Sequence, residues 1–429
     1  MDDALVPPHP PPAGLARGRP RLLVVAGVGI AQILAWGSSY YLIAVVAHPV
    51  AAATGWPLSW IVGGLSLGLL VSGLIAPSVG RLIERRGGRP VLAASALLLA
   101  CGLLLLASAP NLPVYMAGWV VIGFGMGSGL YDPAFSTLGR LYGEGARSAI
   151  THLTLFGGFS STVCWPLTAF LVAHAGWRGT CLAYAAILLG IVLPVYLLCL
   201  PREAARTSPV TGPAGATRAA APSAGGAAFL ILAAGLTLAY AIMTIVAVHL
   251  LTLLQAFGVA LAAAVGFGAL LGPSQVGGRV LEMTLGRNTH PVWSMLASTV
   301  LVTIGLALLP LLRGRPGAVA AVAIVLYGAG SGIRSIVRGT VPLALFGPDG
   351  YAVLMGRLGL PTLLAQAAAP SVGALLLDRF GAAGTVAALC GAAALNIVLA
   401  ALLLPFARPL ARSQALLRPP IAPRHTRRG

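Results

Sequence analysis

The chain predicts an all-α, polytopic membrane protein: twelve transmembrane helices in two pseudo-symmetric six-helix bundles. Three observations carry that prediction. The 429 residues are 58% hydrophobic and 8% charged, with mean hydropathy +0.92, which is too little charge to cover a water-soluble surface. The apolar residues gather into twelve runs, each long enough to cross a hydrocarbon layer of about 30 Å. The arginines, finally, are sorted into alternate gaps between those runs.

In order, residues 1–21 form an acidic, then proline-rich, then basic arm with no cleavage signature, read as a disordered cytoplasmic arm and not a signal peptide. The first bundle, 22–200, holds runs at 22–47, 58–79, 91–109, 114–138, 149–175 and 179–200. A linker at 201–226, PREAARTSPVTGPAGATRAAAPSAGG, is rich in Ala, Pro, Gly and Arg without apolar periodicity. The second bundle, 227–406, holds runs at 227–256, 261–281, 291–312, 319–345, 351–377 and 382–404, and a basic cytoplasmic tail, 407–429, closes the chain.

The halves echo each other. LGRLYG ends at Gly143 and LALFG at Gly347, 204 residues apart, and the prolines Pro166 and Pro370 repeat that spacing. Pro77 and Pro273 stand in similar surroundings 196 apart. Duplicated halves about a central linker imply a pseudo-twofold axis along the membrane normal and a binding cavity between the lobes near the midplane.

Net charge is +18, which in a soluble protein would suggest nucleic acid. Location argues otherwise. With the amino terminus cytoplasmic, the inside gaps hold twenty arginines, among them Arg81, Arg85, Arg86, Arg89, Arg140, Arg147, Arg279 and Arg287, against Arg178, Arg313, Arg315 and Arg379 outside. This positive-inside bias predicts that both termini lie in the cytoplasm; the expected location is the plasma membrane, as a bacterial inner-membrane protein. The expected partners are the lipid bilayer and a small anionic molecule, with no nucleic acid, and the protein is read as a monomer. The five cysteines lack metal-ligand spacing and are expected as free thiols.

After the second run comes Gly80-Arg-Leu-Ile-Glu84-Arg85-Arg86-Gly87-Gly88-Arg89-Pro90-Val-Leu92. It resembles the loop signature of the major facilitator superfamily, G-x-L-a-D-r-x-G-r-k-x-x-l. Gly80, Leu82, Arg85, Gly87, Arg89 and Leu92 match, Glu84 replaces the usual aspartate and Gly88 one basic residue; a degraded copy follows at Gly278, Arg279, Glu282, Gly286 and Arg287. The resemblance covers the whole chain and implies a transporter whose loop latches a cytoplasmic gate. Gln32-Ile-Leu-Ala-Trp36-Gly-Ser-Ser-Tyr40-Tyr41 and Gly55-Trp-Pro-Leu-Ser-Trp60 look like bacterial members related to monocarboxylate and oxalate/formate carriers. The fourth run lacks the membrane arginine of many proton-coupled members; Trp119 stands there, which puts a standard drug/proton antiporter reading in doubt.

Of nine acidic residues, eight fall in predicted loops or tails. Asp132, in the fourth run, is the exception, and a carboxylate there must face the interior and be paired or protonated. In the tenth run Tyr327, Ser331, Arg334 and Arg338 share one helical face. The 204-residue offset puts Asp132 near Ile336, so Asp132 is expected to pair with Arg338 or Arg334. One reading makes the pair functional, with an arginine binding substrate anion and Asp132 carrying a proton; the other makes it a static lock between helices.

The candidate substrate-binding residues are Arg338, Arg334, Gln32, Trp36, Tyr40, Tyr131, Tyr240, Gln275 and Tyr327, with Asp132 for proton coupling or ion pairing and Gly80, Glu84, Arg85, Gly87 and Arg89 as the gate motif. The surplus of guanidinium over carboxylate points to an anion. Glycine runs such as GFGMGSG lie inside apolar runs and read as helix packing, not phosphate binding. No nucleophile and base pair, cofactor motif or metal spacing stands out. The expectation is therefore a secondary active transporter, not an enzyme, moving a small monocarboxylate-like anion by alternating access, proton-coupled or exchanging. The competing expectation is a proton-driven exporter of amphipathic or drug-like compounds.

Overall fold

The computed structural model describes residues 20–203, 226–312 and 316–407. Nearly all of the expected arm, linker and basic tail therefore lies outside the described residues. Among those described, all regular structure is helical. The helices are α1 (Arg21–Ser38), α2 (Ile43–Thr54), α3 (Leu58–Arg86), α4 (Gly88–Ser108), α5 (Leu112–Gly129), α6 (Tyr131–Tyr142), α7 (Ala146–Gly158), α8 (Ser160–Ile187) and α9 (Leu193–Cys199) in the first half. In the second they are α10 (Ala227–Ala256), α11 (Leu261–Ala269), α12 (Leu271–Leu285), α13 (Pro291–Leu308), α14 (Pro316–Phe346) and α15 (Tyr351–Ala401).

Nine helical stretches among the described residues are long and apolar enough to cross a membrane. Two of them, Leu112–Cys199 and Tyr351–Phe406, contain 88 and 56 residues, which at 1.5 Å per residue exceeds any single crossing. Glycines reverse the chain inside them. Gly143 (φ 53), Gly176 (φ 67) and Gly381 (φ 64) adopt positive φ, open to glycine without strain. Divided there, the helices are consistent with twelve crossings. The internal repeat reappears in these turns: Gly55 and Gly258, Gly143 and Gly347, and Gly176 and Gly381 are positive-φ pairs 203, 204 and 205 residues apart.

The apolar cores follow the halves. One cluster runs from Val24 to Leu200 and takes in Leu343, Tyr351 and Met355 from beyond, with Leu363 and Ala367 packed on it. Two others are built between Leu232 and Leu403, and a small one of Val79, Ile83, Val91 and Ala352 bridges the halves. Between lobes, α3 packs on α15, α6 on α14 and α15, and α7 on α12 and α14, whereas α2 and α8 pack within their own lobe. The interlobe contacts run from Gly73, midway along α3, to the face where both ends of the described chain lie, hereafter the terminal face. There Gly80 meets α15 so closely that a Cβ would sit 2.3 Å from the Ala352 carbonyl oxygen, and one on Gly356 would sit 2.5 Å from that of Ala76. Small residues at crossings of this kind let helix backbones touch.

Two expectations need correction. The second helix runs to Arg86, seven residues past the expected 79, so most of the Gly80–Gly87 motif is helix and the turn is Gly87 alone (φ 81). Arg85 and Arg86 occupy the last turn, where basic side chains favour the negative helix end. The fourth run, expected unbroken over 114–138, is split at Leu130, which is extended (φ −81, ψ −155). Pro133 follows and cannot donate a backbone hydrogen bond to the Gly129 carbonyl four residues back.

Candidate functional site

That break builds the site. The Gly129 carbonyl orphaned by Pro133 accepts a hydrogen bond of 2.6 Å from Gln32 Nε2. Gln32 Oε1 in turn accepts from the indole Nε1 of Trp36 at 3.2 Å. Restarting the helix at Tyr131 puts Asp132 in the first turn of α6, where the helix dipole favours a carboxylate. Across the lobe boundary, Arg338 of α14 grips that carboxylate with both prongs: Nε donates to Oδ1 and Nη2 to Oδ2, each at 2.5 Å. The pair is nearly shut off from solvent, with side-chain exposures of 7% for Arg338 and 12% for Asp132. The Arg338 guanidinium also lies over the Tyr240 ring, 4.5 Å from its centroid, a cation–π contact.

The pair forms part of the wall of an interlobe cavity of about 60 Å³. Trp36, Tyr40 and Tyr131 line it from the first lobe, and Tyr240, Gln366 and Leu363 from the second, with Gly80 and Ile83 toward the terminal face. Trp36 is the hub of an aromatic cluster, its ring centroid 4.9 Å from Tyr131, 5.3 Å from Tyr40 and 6.1 Å from Tyr41. Tyr131 also stacks on Phe135 at 5.1 Å with an interplanar angle of 10°.

Other candidates lie elsewhere. Gln32 is fully buried behind the wall, where it holds Trp36 in place. Tyr327 belongs to an apolar core of the second lobe. Gln275 is half-buried and is not among the residues lining the cavity; its backbone is packed against Gly332. Arg334, 1% exposed, opens instead on a small separate cavity inside the second lobe with Thr299 and Asn396. With the Asn396 amide turned to satisfy both neighbours, its oxygen accepts from Arg334 Nη1 at 3.1 Å. Arg334 Nε has no partner.

Arg279 escaped the sequence reading, which assigned it to a cytoplasmic gap. It is 6% exposed on α12, donates from Nε to Ser335 Oγ at 2.8 Å, and leaves Nη1 without a partner. Adjacent glycines of α7 make room for it beside Tyr131. A Cβ on Gly157 would lie 2.1 Å from the Tyr131 hydroxyl, and one on Gly158 would lie 1.9 Å from Arg279 Nη1.

At the terminal face the gate motif packs across the boundary at Gly80, while the polar bonds made by the Glu84 carbonyl and by Arg89 stay within its own lobe. Arg140 of α6 bonds the Glu84 carbonyl and the Glu203 carboxylate, with Glu84 Oε1 3.8 Å away. Arg89 donates to the Leu197 carbonyl at 2.8 and 3.2 Å. The carboxylate at the amino terminus of α4 is that of Glu203, which accepts from Gly88 N at 3.2 Å, although its position in the sequence falls in the expected linker at 201–226. Arg85 is exposed. The degraded copy of the motif is instead held across the lobes. Arg147 of α7 donates to the carbonyls of Gly286 at 2.8 Å and Thr289 at 2.9 Å, and its Nη2 lies 3.9 Å from Glu282 Oε1.

Comparison with known proteins adds the following. The family model described as Major Facilitator Superfamily matches residues 28–333. Monocarboxylate transporter 13 of Bos taurus is 33% identical over 161 residues, 36% of this chain and 36% of that protein. The Rattus norvegicus protein of the same name is 33% identical over 140 residues, 32% of this chain and 31% of its own. The chain thus spans about a third of the length of these curated relatives. Among solved structures, the human organic anion transporter MFSD10 (TETRAN) superposes with TM-score 0.69 at 18% identity, covering 89% of this chain and 100% of that one. The proton:xylose symporter XylE gives 0.68 at 12%, covering 90% and 96%. FucP in its outward conformation gives 0.68 at 13%, covering 89% and 99%. At these identities the structural likeness establishes the fold alone.

Proposed function

Because the chain belongs to the Major Facilitator Superfamily, and so is a multi-pass membrane transporter, we propose that it carries a small organic anion of monocarboxylate type by alternating access, as a proton-coupled or exchanging carrier. The observation that carries this reading is the excess of buried positive charge. Arg279, Arg334 and Arg338 are each at most 6% exposed, yet among the described residues only Arg338 has a carboxylate partner. A charged side chain at the centre of a membrane costs about 2.5–3.5 kcal/mol even on insertion scales, and a substrate carboxylate offsets that cost by pairing with a guanidinium. The relatives named monocarboxylate transporter 13 agree with this class.

In this reading parting of the lobes bares Arg279 Nη1, unpaired and enclosed against Gly158 here, to the substrate carboxylate, while Asp132 and Arg338 couple binding to movement. Protonation of Asp132, or competition by the substrate for Arg338, frees a polar contact that joins the lobes at the cavity wall. The interlobe packing from mid-span to the terminal face suits a carrier closed on that side and loading from the other. The terminal face is assigned to the cytoplasm of a bacterial inner membrane, since that orientation puts the arginine-rich gaps inside.

Uptake of a labelled monocarboxylate into proteoliposomes tests the proposal. Arg279→Gln and Arg338→Ala are expected to abolish uptake while purified protein stays monodisperse. Transport of a hydrophobic cation that survives both substitutions but not Asp132→Asn would overturn it in favour of proton-driven export.

A further inference from the structure

The cavity offers an anion far more ring surface than polar contact. The indole N–H of Trp36 is already committed to Gln32 behind the wall, so this side chain faces the cavity as hydrocarbon and π-surface, not as a hydrogen-bond donor. Tyr131 likewise directs its hydroxyl toward Gly157 of α7 and stacks its ring on Phe135. Ser72, also in the wall, has its hydroxyl within 2.8 Å of the Gly68 carbonyl and 2.7 Å of that of Gly123. The polar atoms of these three wall residues are therefore bonded or turned away from the cavity. The cavity, about 60 Å³, is smaller than the range of about 300–1,000 Å³ typical of drug-sized sites, so a ring-bearing ligand enters as the lobes part around it.

We propose that the preferred substrate is an aryl or arylalkyl carboxylate, whose ring stacks on the Trp36 platform while its carboxylate reaches the arginine side of the cavity. This rests on the anion reading above and deepens it. Trp36, Tyr40 and Tyr131 of the wall belong to the first lobe, on α1, its C-terminal end and α6, whereas its guanidinium, Arg338, belongs to the second, on α14 beside Tyr240. A ligand with a ring at one end and a charge at the other therefore engages both lobes at once. A short aliphatic acid satisfies only the cation.

The test is calorimetric titration of the full-length protein in lipid nanodiscs with three probes: 3-phenylpropionate, hexanoate of similar length, and the neutral 3-phenylpropionamide. 3-Phenylpropionate is expected to bind about tenfold tighter than hexanoate, from ring stacking beyond simple burial, and the amide more weakly still. Trp36→Leu is expected to erase the preference for the ring, and Trp36→Phe to keep most of it, which separates loss of stacking from loss of fold. Equal binding of 3-phenylpropionate and hexanoate, or no binding of 3-phenylpropionate, overturns the aromatic assignment. Amide binding as tight as the acid overturns instead the anion reading on which it rests.

Discussion

Replacing Asp132 by asparagine keeps the shape of the side chain and removes the charge that neutralises Arg338. Of the two hydrogen bonds of 2.5 Å, one is lost because the amide NH2 cannot accept and the other loses its anionic acceptor, and a guanidinium with 7% side-chain exposure is left in a membrane interior without a counter-ion. Breaking a buried pair by removing one partner costs about 3–5 kcal/mol. Because the partners sit on opposite lobes, that cost falls on the conformation in which the lobes meet. If all of it does, the equilibrium between this conformation and one parted at the terminal face shifts by about 10²- to 5 × 10³-fold. Arg338→Gln is expected to shift it less, because a carboxyl deprived of its partner can take up a proton whereas a guanidinium cannot lose one. The double variant should lie closest to the parent, since neither charge is stranded. Spin labels on cysteines at the exposed positions Glu144 and Asp349, in a background without native cysteines, would report the separation of the lobes at that face. Equal and additive effects of the two single substitutions, with no recovery in the double, would refute the argument.

Three further outcomes follow from the packing. Arg147→Ala removes the hydrogen bonds to the Gly286 and Thr289 carbonyls and should speed labelling of a cysteine placed at Asn288, which unchanged reactivity would contradict. Gly80→Val brings a Cβ to 2.3 Å from the Ala352 carbonyl oxygen, so α3 and α15 must part by about 1 Å against close packing; uptake should fall at least tenfold with elution on size exclusion unchanged. Gln32→Leu strands the Gly129 carbonyl and should cost about 1–3 kcal/mol in thermal unfolding, part of which Pro133→Ala should restore by returning a backbone donor.

The fold was legible because its signals are one-dimensional. A bilayer sets run length, and the positive-inside bias sets the alternation of gaps, so neither needs a three-dimensional partner to be recognised. The 204-residue repeat was readable for the same reason, and it returns in the paired turns at Gly143 and Gly347. Helix ends were less legible. Nothing in hydropathy marks where a helix that leaves the hydrocarbon stops, so α3 continues through the motif to Arg86. The interruption at Leu130 was written in Pro133, but the apolar run hid it.

At the site, the periodicity of α14 put Arg334 and Arg338 together, and only packing sets them apart. One turn of helix separates a guanidinium aimed across the lobe boundary at Asp132 from one turned inward toward Asn396. A helical stripe wide enough to include both cannot say which edge meets a neighbouring helix and which meets the other lobe. Arg279 shows the converse. It lay inside the apolar run bounded at 281, and that position was the usable signal, yet its membership in a loop-like motif copy drew it into the count of cytoplasmic arginines. An arginine inside an apolar run has to be explained by its burial before it is counted as topology, because the same residue type marks both a loop in water and a charge held for an anion. The gate motif makes the same point for carboxylates: Glu84 occupies the signature position, but Glu203, from beyond the last helix of the lobe, caps α4, and only the folded chain brings it there.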